Sequence, residues 1–279
     1  MQPGRASTTA LRVALRRAVH QVLDPPCVLC DPVAIPLLGS SFNFDAAREA
    51  HPVARAFRAW MAVRSRFAED QLAAAISRGV TQYVILGAGL DTFAYRNPWA
   101  ALRVFEVDFP ATQQGKRAML ADSQIPIPQS LTFVPLDFEH QTLAEGLAGA
   151  GFDASQAAFF GWLGVVPYLT PAAFRTTVRA IAQFPAGTGV CFDYGVSPST
   201  LGPLQLMAFN ALARRVAAAG EPFRLFFTSG ELERELRDAG FHHIRLHSAN
   251  ELNDLYFANR RDGFRLHSPG LGMLATAWI

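Results

Sequence analysis

The chain has 279 residues, is 50% hydrophobic and only 17% charged, and carries a formal net charge of +2, a balance that excludes disorder and coiled coil. At about 150 residues per domain the length suggests two units, although α/β folds reach this size as one domain with an elaborated cap. Basic and acidic residues nearly cancel, so no electrostatic footprint for nucleic acid is expected; of the 25 basic residues one, Lys116, is lysine and the rest are arginine.

Residues 1–23 hold Arg5, Arg12, Arg16 and Arg17 with no acid before Asp24, a composition compatible with an organelle transit peptide. Leu11, Leu15, Ala18 and Val22 also make a helical apolar stripe that suits docking on a domain, and an integral helix is the preferred reading. Arginines interrupt every candidate signal core. The longest nearly apolar stretch, 157–169, contains Pro167 and falls well short of the roughly 20 residues a membrane span needs. A cytoplasmic protein without membrane contact is therefore expected. Cys27 and Cys30 have the spacing of half a zinc knuckle, but no second CxxC or HxxxH follows, so no metal is expected.

In chain order, the pattern predicts a capped amphipathic helix over 8–23, a Pro-punctuated segment over 25–39 and a long helix over 52–77. From Thr81 onward, apolar runs at 83–86, 102–107, 131–134, 157–163 and 189–192 alternate with helical segments near 111–121, 140–149 and 171–183. That alternation predicts a parallel sheet wrapped by helices. A mixed stretch at 197–227, a helix over 229–239 and strands at 242–246 and 273–277 complete the chain. The expected organisation is a helical cap over 1–80 and a ligand-binding sheet domain over 81–279 with a lid insertion at about 197–227.

Ligands of open α/β sheets bind at the carboxyl ends of the strands. The first such end reads YVILGAGLDT, where Gly87 and Gly89 permit a tight turn and close backbone approach. A dinucleotide fingerprint would place a third glycine at position 92, which is Thr92. Asp91 stands where a helix N-terminus would receive a pyrophosphate, and a carboxylate there repels phosphate while tolerating a cation. Strand two ends FEVDFP, with Glu106 and Asp108 on one face; Asp108, nearer the end, is preferred as acceptor for the hydroxyls of a ribose, and Glu106 is left to orient the turn or touch the ligand. Strand three ends VPLDF, where Asp137 can accept from the exocyclic amine of a purine and the Phe138 N–H can donate to its ring.

The long helix carries an anomaly. At 100° per residue, Phe57, Trp60, Met61, Phe67, Ala68 and Ala75 fall within about 60° of Arg64, whereas Arg66 falls opposite. A guanidinium in an apolar stripe needs an anion: the carboxylate of a methionine-derived cofactor or a structural Asp.

The strings DPVAIPLLG, RSRFAED, YVILGAGLDTFAYR, FEVDFPATQ, FVPLDFE and WLGVVPYLT, in order from residue 31 to 170, resemble the leucine carboxyl methyltransferase family, in particular its bacterial S-adenosylmethionine-dependent O-methyltransferases. The resemblance implies a class I methyltransferase (Rossmann-like) sheet of seven strands, the last antiparallel, with the N-terminal helices and the insertion after strand five covering the substrate pocket. It assigns S-adenosyl-L-methionine to Arg64 through its carboxylate, to Gly87 through backbone approach, to Asp108 through ribose, and to Asp137 and Phe138 through adenine. Gly89, Asp91 and Phe109 complete the expected cofactor set. Many family members have a glutamate before the YLT-like string, where this chain has Leu163; backbone carbonyls near Gly87 and Gly161, or Asp91, would then hold the cofactor's amino group.

The expected reaction is methyl transfer to an oxygen, carboxylate or hydroxyl, of a small molecule. A carboxylate needs no general base, and none of the seven scattered histidines is singled out as one, so the catalytic residue is left open. Trp162 and Tyr168, just beyond strand four, are candidates for the substrate pocket through cation–π contact, with core or lid packing as the alternative. Two other readings stand beside this one: a non-catalytic S-adenosylmethionine-binding module, suggested by Leu163, and a nicotinamide oxidoreductase, disfavoured by Asp91 and Thr92.

Overall fold

The computed structural model describes residues 8–137, 141–218, 220, 222–266 and 272–279. The chain divides into two compact units, Met1–Asp153 and Ala154–Ile279.

The first unit opens with four helices: α1 (Thr8–Leu23), α2 (Ala34–Leu38), α3 (Ala46–Glu49) and α4 (Pro52–Ser77). Pro52 stands at the first position of α4, where its missing N–H costs nothing, and the His51 ring accepts from the Val53 N–H. The strands follow as β1 (Gln82–Leu86), β2 (Arg103–Asp108) and β3 (Leu131–Pro135), with α5 (Pro110–Asp122) between the last two and α6 (Leu143–Gly149) after them. β1 is buried at every position, as a strand covered on both faces must be. β2 lies between the others, parallel to both, with Val84 opposite Phe105 and Val107 opposite Val134. This register puts the ends of all three strands on one edge.

α1 packs on α2 and α4. Its Ala14 and Ala18 join Leu37, Leu38, Leu90 and Leu120 in one apolar cluster, with Leu11 and Leu15 packed against it; Val22, expected in the same stripe, lies in the last turn of α1 and is 48% exposed. On α4 the stripe is buried from Trp60 onward, with Arg64 7% exposed, but Arg58, Ala62, Val63 and Ser65 outside it are buried as well; Arg66 is exposed and paired with Asp70 at 2.8 Å.

The second unit contains β4 (Phe159–Trp162), α7 (Pro171–Ile181), β5 (Gly189–Val196), α8 (Pro203–Ala218), β6 (Phe226–Phe227), α9 (Ser229–Ala239), β7 (His243–His247), α10 (Ala249–Tyr256) and β8 (Met273–Trp278). β4 and β5 are parallel, β8 runs antiparallel to both β5 and β7, and β6 pairs in parallel with the end of β5. Gly189 is required by packing, since a Cβ there would meet the Trp278 ring at 2.2 Å. The core is aromatic: Phe159, Phe160, Trp162, Phe174 and Phe192 are all essentially inaccessible.

All seven expected strands are present. The short α2, α3 and α10, the 16-residue α8 and the two-residue β6 were not anticipated: α8 lies within the stretch read as mixed, β6 is too brief to show a period, and α10 is a polar two-turn helix begun by Ser248, whose side chain accepts from the Glu251 N–H. Among the described residues no helix is long and apolar enough to cross a membrane.

Candidate cofactor site

Gly87, Gly89, Asp91, Asp108 and Asp137 lie at or just beyond the carboxyl ends of the first unit's three strands. After β1, Gly87 and Gly89 adopt positive φ, +65° and +49°, which glycine reaches without strain. The Gly87 and Ala88 N–H groups donate to the Val107 carbonyl at 2.8 and 3.1 Å. The Gly89 N–H donates to Asp108 Oδ2, and the Phe109 N–H donates to Oδ1 at 2.6 Å. Burial raises the Asp108 carboxyl, an effect these two donors oppose. Asp108 is half-buried, and the two donors hold its carboxylate in one orientation.

At the end of β3, the Leu136 N–H donates to the Asp108 carbonyl at 2.9 Å, tying the second strand end to the third. Asp137 is half-buried, and its carbonyl accepts from the Gln141 N–H at 2.9 Å. Phe138, expected to donate its N–H to the purine, lies outside the described residues. Gln113 Nε2 bridges the carbonyls of Glu106 and Val134 at 2.7 and 3.1 Å, locking β2 to β3 just beneath this edge.

Several expected ligand groups are engaged by the protein itself. A Cβ on Gly89 would approach Ala10 of α1 at 3.2 Å, so this glycine serves the packing of the N-terminal helix. Asp91 Oδ1 accepts from the Phe93 N–H at 2.8 Å, and Oδ2 lies 3.3 Å from Arg17 Nη1. Burial would raise Asp91, but Arg17 and Lys116 outweigh it and hold the carboxyl below its ordinary range. The cation that Asp91 tolerates is thus a side chain of α1. No α-helix follows β1: residues Phe93–Arg96 form one 3₁₀ turn, so the helix N-terminus that would receive a pyrophosphate is absent there.

Sequence reasoning missed the network around this loop. Arg17 is 4% exposed and also donates to the Leu90 carbonyl at 2.7 Å. Asp31, in the DPVAIPLLG string, accepts from the Thr92 hydroxyl and lies 3.4 Å from Arg96 Nε. Arg96 forms a two-pronged pair with Glu69 of the RSRFAED string. The strings that look like separate ligand motifs are therefore each other's partners. Glu106 is fully buried and pairs with Lys116 Nζ at 2.6 Å; it acts on the turn from behind. A second buried arginine, Arg58, is 1% exposed and is neutralised by Asp24 at 2.9 Å and Glu49 at 2.8 Å.

The chemistry of this donor set fits S-adenosylmethionine. Asp108 and Asp137 are half-buried acceptors at adjacent strand ends, Gly87 opens the backbone, and Arg64 is a buried guanidinium on α4. In the second unit, Trp162 is 2% exposed and stacks on Phe174 at 5.8 Å, which makes it core. Tyr168 is half-buried, with its ring 5.3 Å from that of Phe223. Leu163 directly follows β4, and the next residue's N–H, Gly164, donates to Asp193 of β5. Among the described residues no group of three or more His, Cys, Asp or Glu could hold a metal ion.

The comparisons bear on the fold and the family. The chain aligns with the crystal structure of a DUF574 family protein from Streptomyces avermitilis with a TM-score of 0.57 over 96% of both chains at 16% identity, a likeness of fold. Over 289 aligned positions it is 32% identical to "Putative S-adenosyl-L-methionine-dependent methyltransferase YktD" of Bacillus subtilis, covering 94% of this chain and 95% of that protein. A Mycobacteroides abscessus protein described as an enzyme of the same class is 35% identical over 88% of this chain and 79% of its own length. Fold and relatives define a class I S-adenosylmethionine-dependent methyltransferase. The family model for leucine carboxyl methyltransferase matches residues 10–182, and the chain belongs to that family.

Proposed function

We propose that this enzyme transfers the methyl group of S-adenosylmethionine to an oxygen of a small molecule, and that the oxygen belongs to a carboxylate. The observation that carries this reading is an open groove of about 620 Å³ on the second unit, lined by Phe209, Ala213 and Ala217 of α8 and by Pro222, Phe223 and Phe226. Such a volume suits a small organic ligand. Its polar lining is Asn210 and Arg214, without a His, Asp, Glu or Tyr among the described residues. A phenol or alcohol would need a base within hydrogen-bond reach, whereas a carboxylate is already ionised. The guanidinium fork of an arginine matches that anion.

The cofactor, when bound, supplies an electrophilic methyl on a sulfonium. In this proposal Arg64, Gly87, Asp108, Asp137 and Phe138 hold it, with Phe109 fixing the Asp108 carboxylate. Arg214 orients the acceptor carboxylate, and the phenylalanines of the groove contact its apolar part. Orientation of this kind can supply roughly 7–11 kcal/mol of barrier reduction in favourable cases, which is enough to make catalysis without a base reasonable.

The test is incubation with isotope-labelled S-adenosylmethionine and a panel of apolar carboxylic acids, matched phenols and amines, read by mass spectrometry. Base-labile methyl esters are expected, with Arg214→Gln raising the acceptor KM about tenfold, the worth of one charge-assisted contact, and leaving cofactor affinity unchanged. Methyl groups recovered only on phenol oxygen or on nitrogen would sink the carboxylate assignment. Cofactor binding without transfer to any acceptor would favour a non-catalytic module.

A further inference from the structure

The chain's single lysine is buried, 1% exposed, beneath the turn that follows β1. Its Nζ donates to Glu106 Oε2 at 2.6 Å and to the backbone carbonyl of Asp91 at 2.6 Å, and it lies 5.2 Å from the centroid of the Tyr95 ring. An ammonium has three donors on one compact centre, which meets two oxygens and a ring face on different sides; a planar arginine fork does not have that shape. In a chain that uses arginine at every other basic position, this is the place where the fork does not fit.

The pair is an uneconomical way to fill a core. Glu106 Oε1 is buried without a hydrogen-bond partner, and a buried ion pair is often replaceable by apolar groups without loss of stability. What the pair provides is a fixed point. The N-terminal half of the turn is tied to β2 through the Gly87, Ala88 and Gly89 N–H groups. From the α1 side, Arg17 holds Leu90 and Asp91. Lys116 alone joins the far end of the turn, Asp91, to α5 and β2 through described contacts.

We infer that Lys116 is a positioning residue for the cofactor. By anchoring the Asp91 carbonyl it keeps Gly89 on Asp108, and so holds the ribose-accepting carboxylate in register with the glycine turn. It touches no reacting atom. Its effect is on affinity for the nucleoside part of the cofactor.

The experiment compares wild type with the double variant Lys116→Met, Glu106→Gln, which removes both buried charges and avoids stranding one of them. S-adenosylhomocysteine binding is measured by calorimetry and stability by urea unfolding. The expected result is a urea midpoint close to wild type with the Kd raised at least tenfold. A Kd within twofold of wild type overturns the inference, and so does a double variant that fails to fold, because the pair would then be structural. A second measurement uses the wild-type enzyme: reductive methylation of its one lysine, with the N-terminal amine as internal reference. Saturating S-adenosylhomocysteine should slow Lys116 labelling at least fivefold, and a rate indifferent to it overturns the inference as well.

Discussion

The turn after β1 and the helix α8 are built on opposite plans. In the turn, Gly87, Ala88, Gly89, Leu90 and Asp91 are each held by a named backbone or side-chain partner, drawn from α1, β2 and α5. On α8 none of the described side chains is buried, and Leu204 and Met207 are 79% and 65% exposed. Directional polar contacts specify one geometry and resist substitution; an open apolar surface can repack around different partners. In our proposal the enzyme thus concentrates its fixed contacts where the cofactor, always the same molecule, binds. It leaves a tolerant surface where, in our proposal, the acceptor binds.

That contrast can be broken first at the core of the second unit. Trp162 is the largest ring there, packed on Phe174 and Phe192 at 5.8 and 6.1 Å between centroids. Trp162→Ala should cost about 3–5 kcal/mol of stability, the usual loss on emptying a buried aromatic site, read as a lower urea midpoint. If Trp162 instead faced a substrate, the midpoint would stay near wild type and the acceptor KM would rise. A stability change below about 1 kcal/mol would be too small for a buried aromatic and would reopen its assignment to the substrate pocket.

Next in size is the ribose acceptor. Asp108→Ala removes a carboxylate expected to accept from two hydroxyls and also frees the Gly89 N–H, so S-adenosylhomocysteine affinity should fall by about 100-fold or more, since each charge-assisted hydrogen bond is worth roughly 1.5–3 kcal/mol. Arg66→Ala serves as the control. Its side chain is 46% exposed and paired along the helix with Asp70, a pair worth about 0.5 kcal/mol. Comparable losses of affinity in both variants would refute the division of α4 into a binding face and a solvent face.

The strand ends were legible because apolar runs and glycine turns mark them, and on α4 the helical period placed Arg64 inside and Arg66 outside, although residues 58–65 are in fact buried all round the helix. What stayed hidden was long-range pairing. Arg58 lies about 120° from Arg64 around the helix at 3.6 residues per turn, outside the apolar stripe, and it is buried because Asp24 and Glu49 reach it from other segments. Gly89 and Asp91 pointed to a ligand, yet α1 supplies Ala10 and Arg17 to that side from more than 70 positions earlier. Lys116 sits in the polar string ATQQGKRA, which no pattern of hydrophobicity would place in a core; only its rarity set it apart.

The smallest expected effect concerns the buried pair itself. Glu106 is raised to about 7, because burial outweighs Lys116 while Asp91 and Asp108 add repulsion. For an acid raised in the folded state, the folded chain binds more protons than the unfolded chain between the ordinary carboxyl range and about 7, so this group's contribution to stability falls as pH rises through that window. His247 acts in the opposite sense, since burial lowers its pKa and the folded state then binds fewer protons as pH approaches the ordinary histidine range. A bare pH profile would mix these with Glu69 and Asp108, two further carboxyls that burial raises. Urea midpoints of wild type and of Lys116→Met, Glu106→Gln, measured from pH 5 to 8, cancel His247 in their difference, and the double variant should gain on wild type as pH rises. A difference that stays flat with pH would mean that Lys116 holds Glu106 ionised throughout, and the anchor of the cofactor turn would then carry its full charge at every pH in the window.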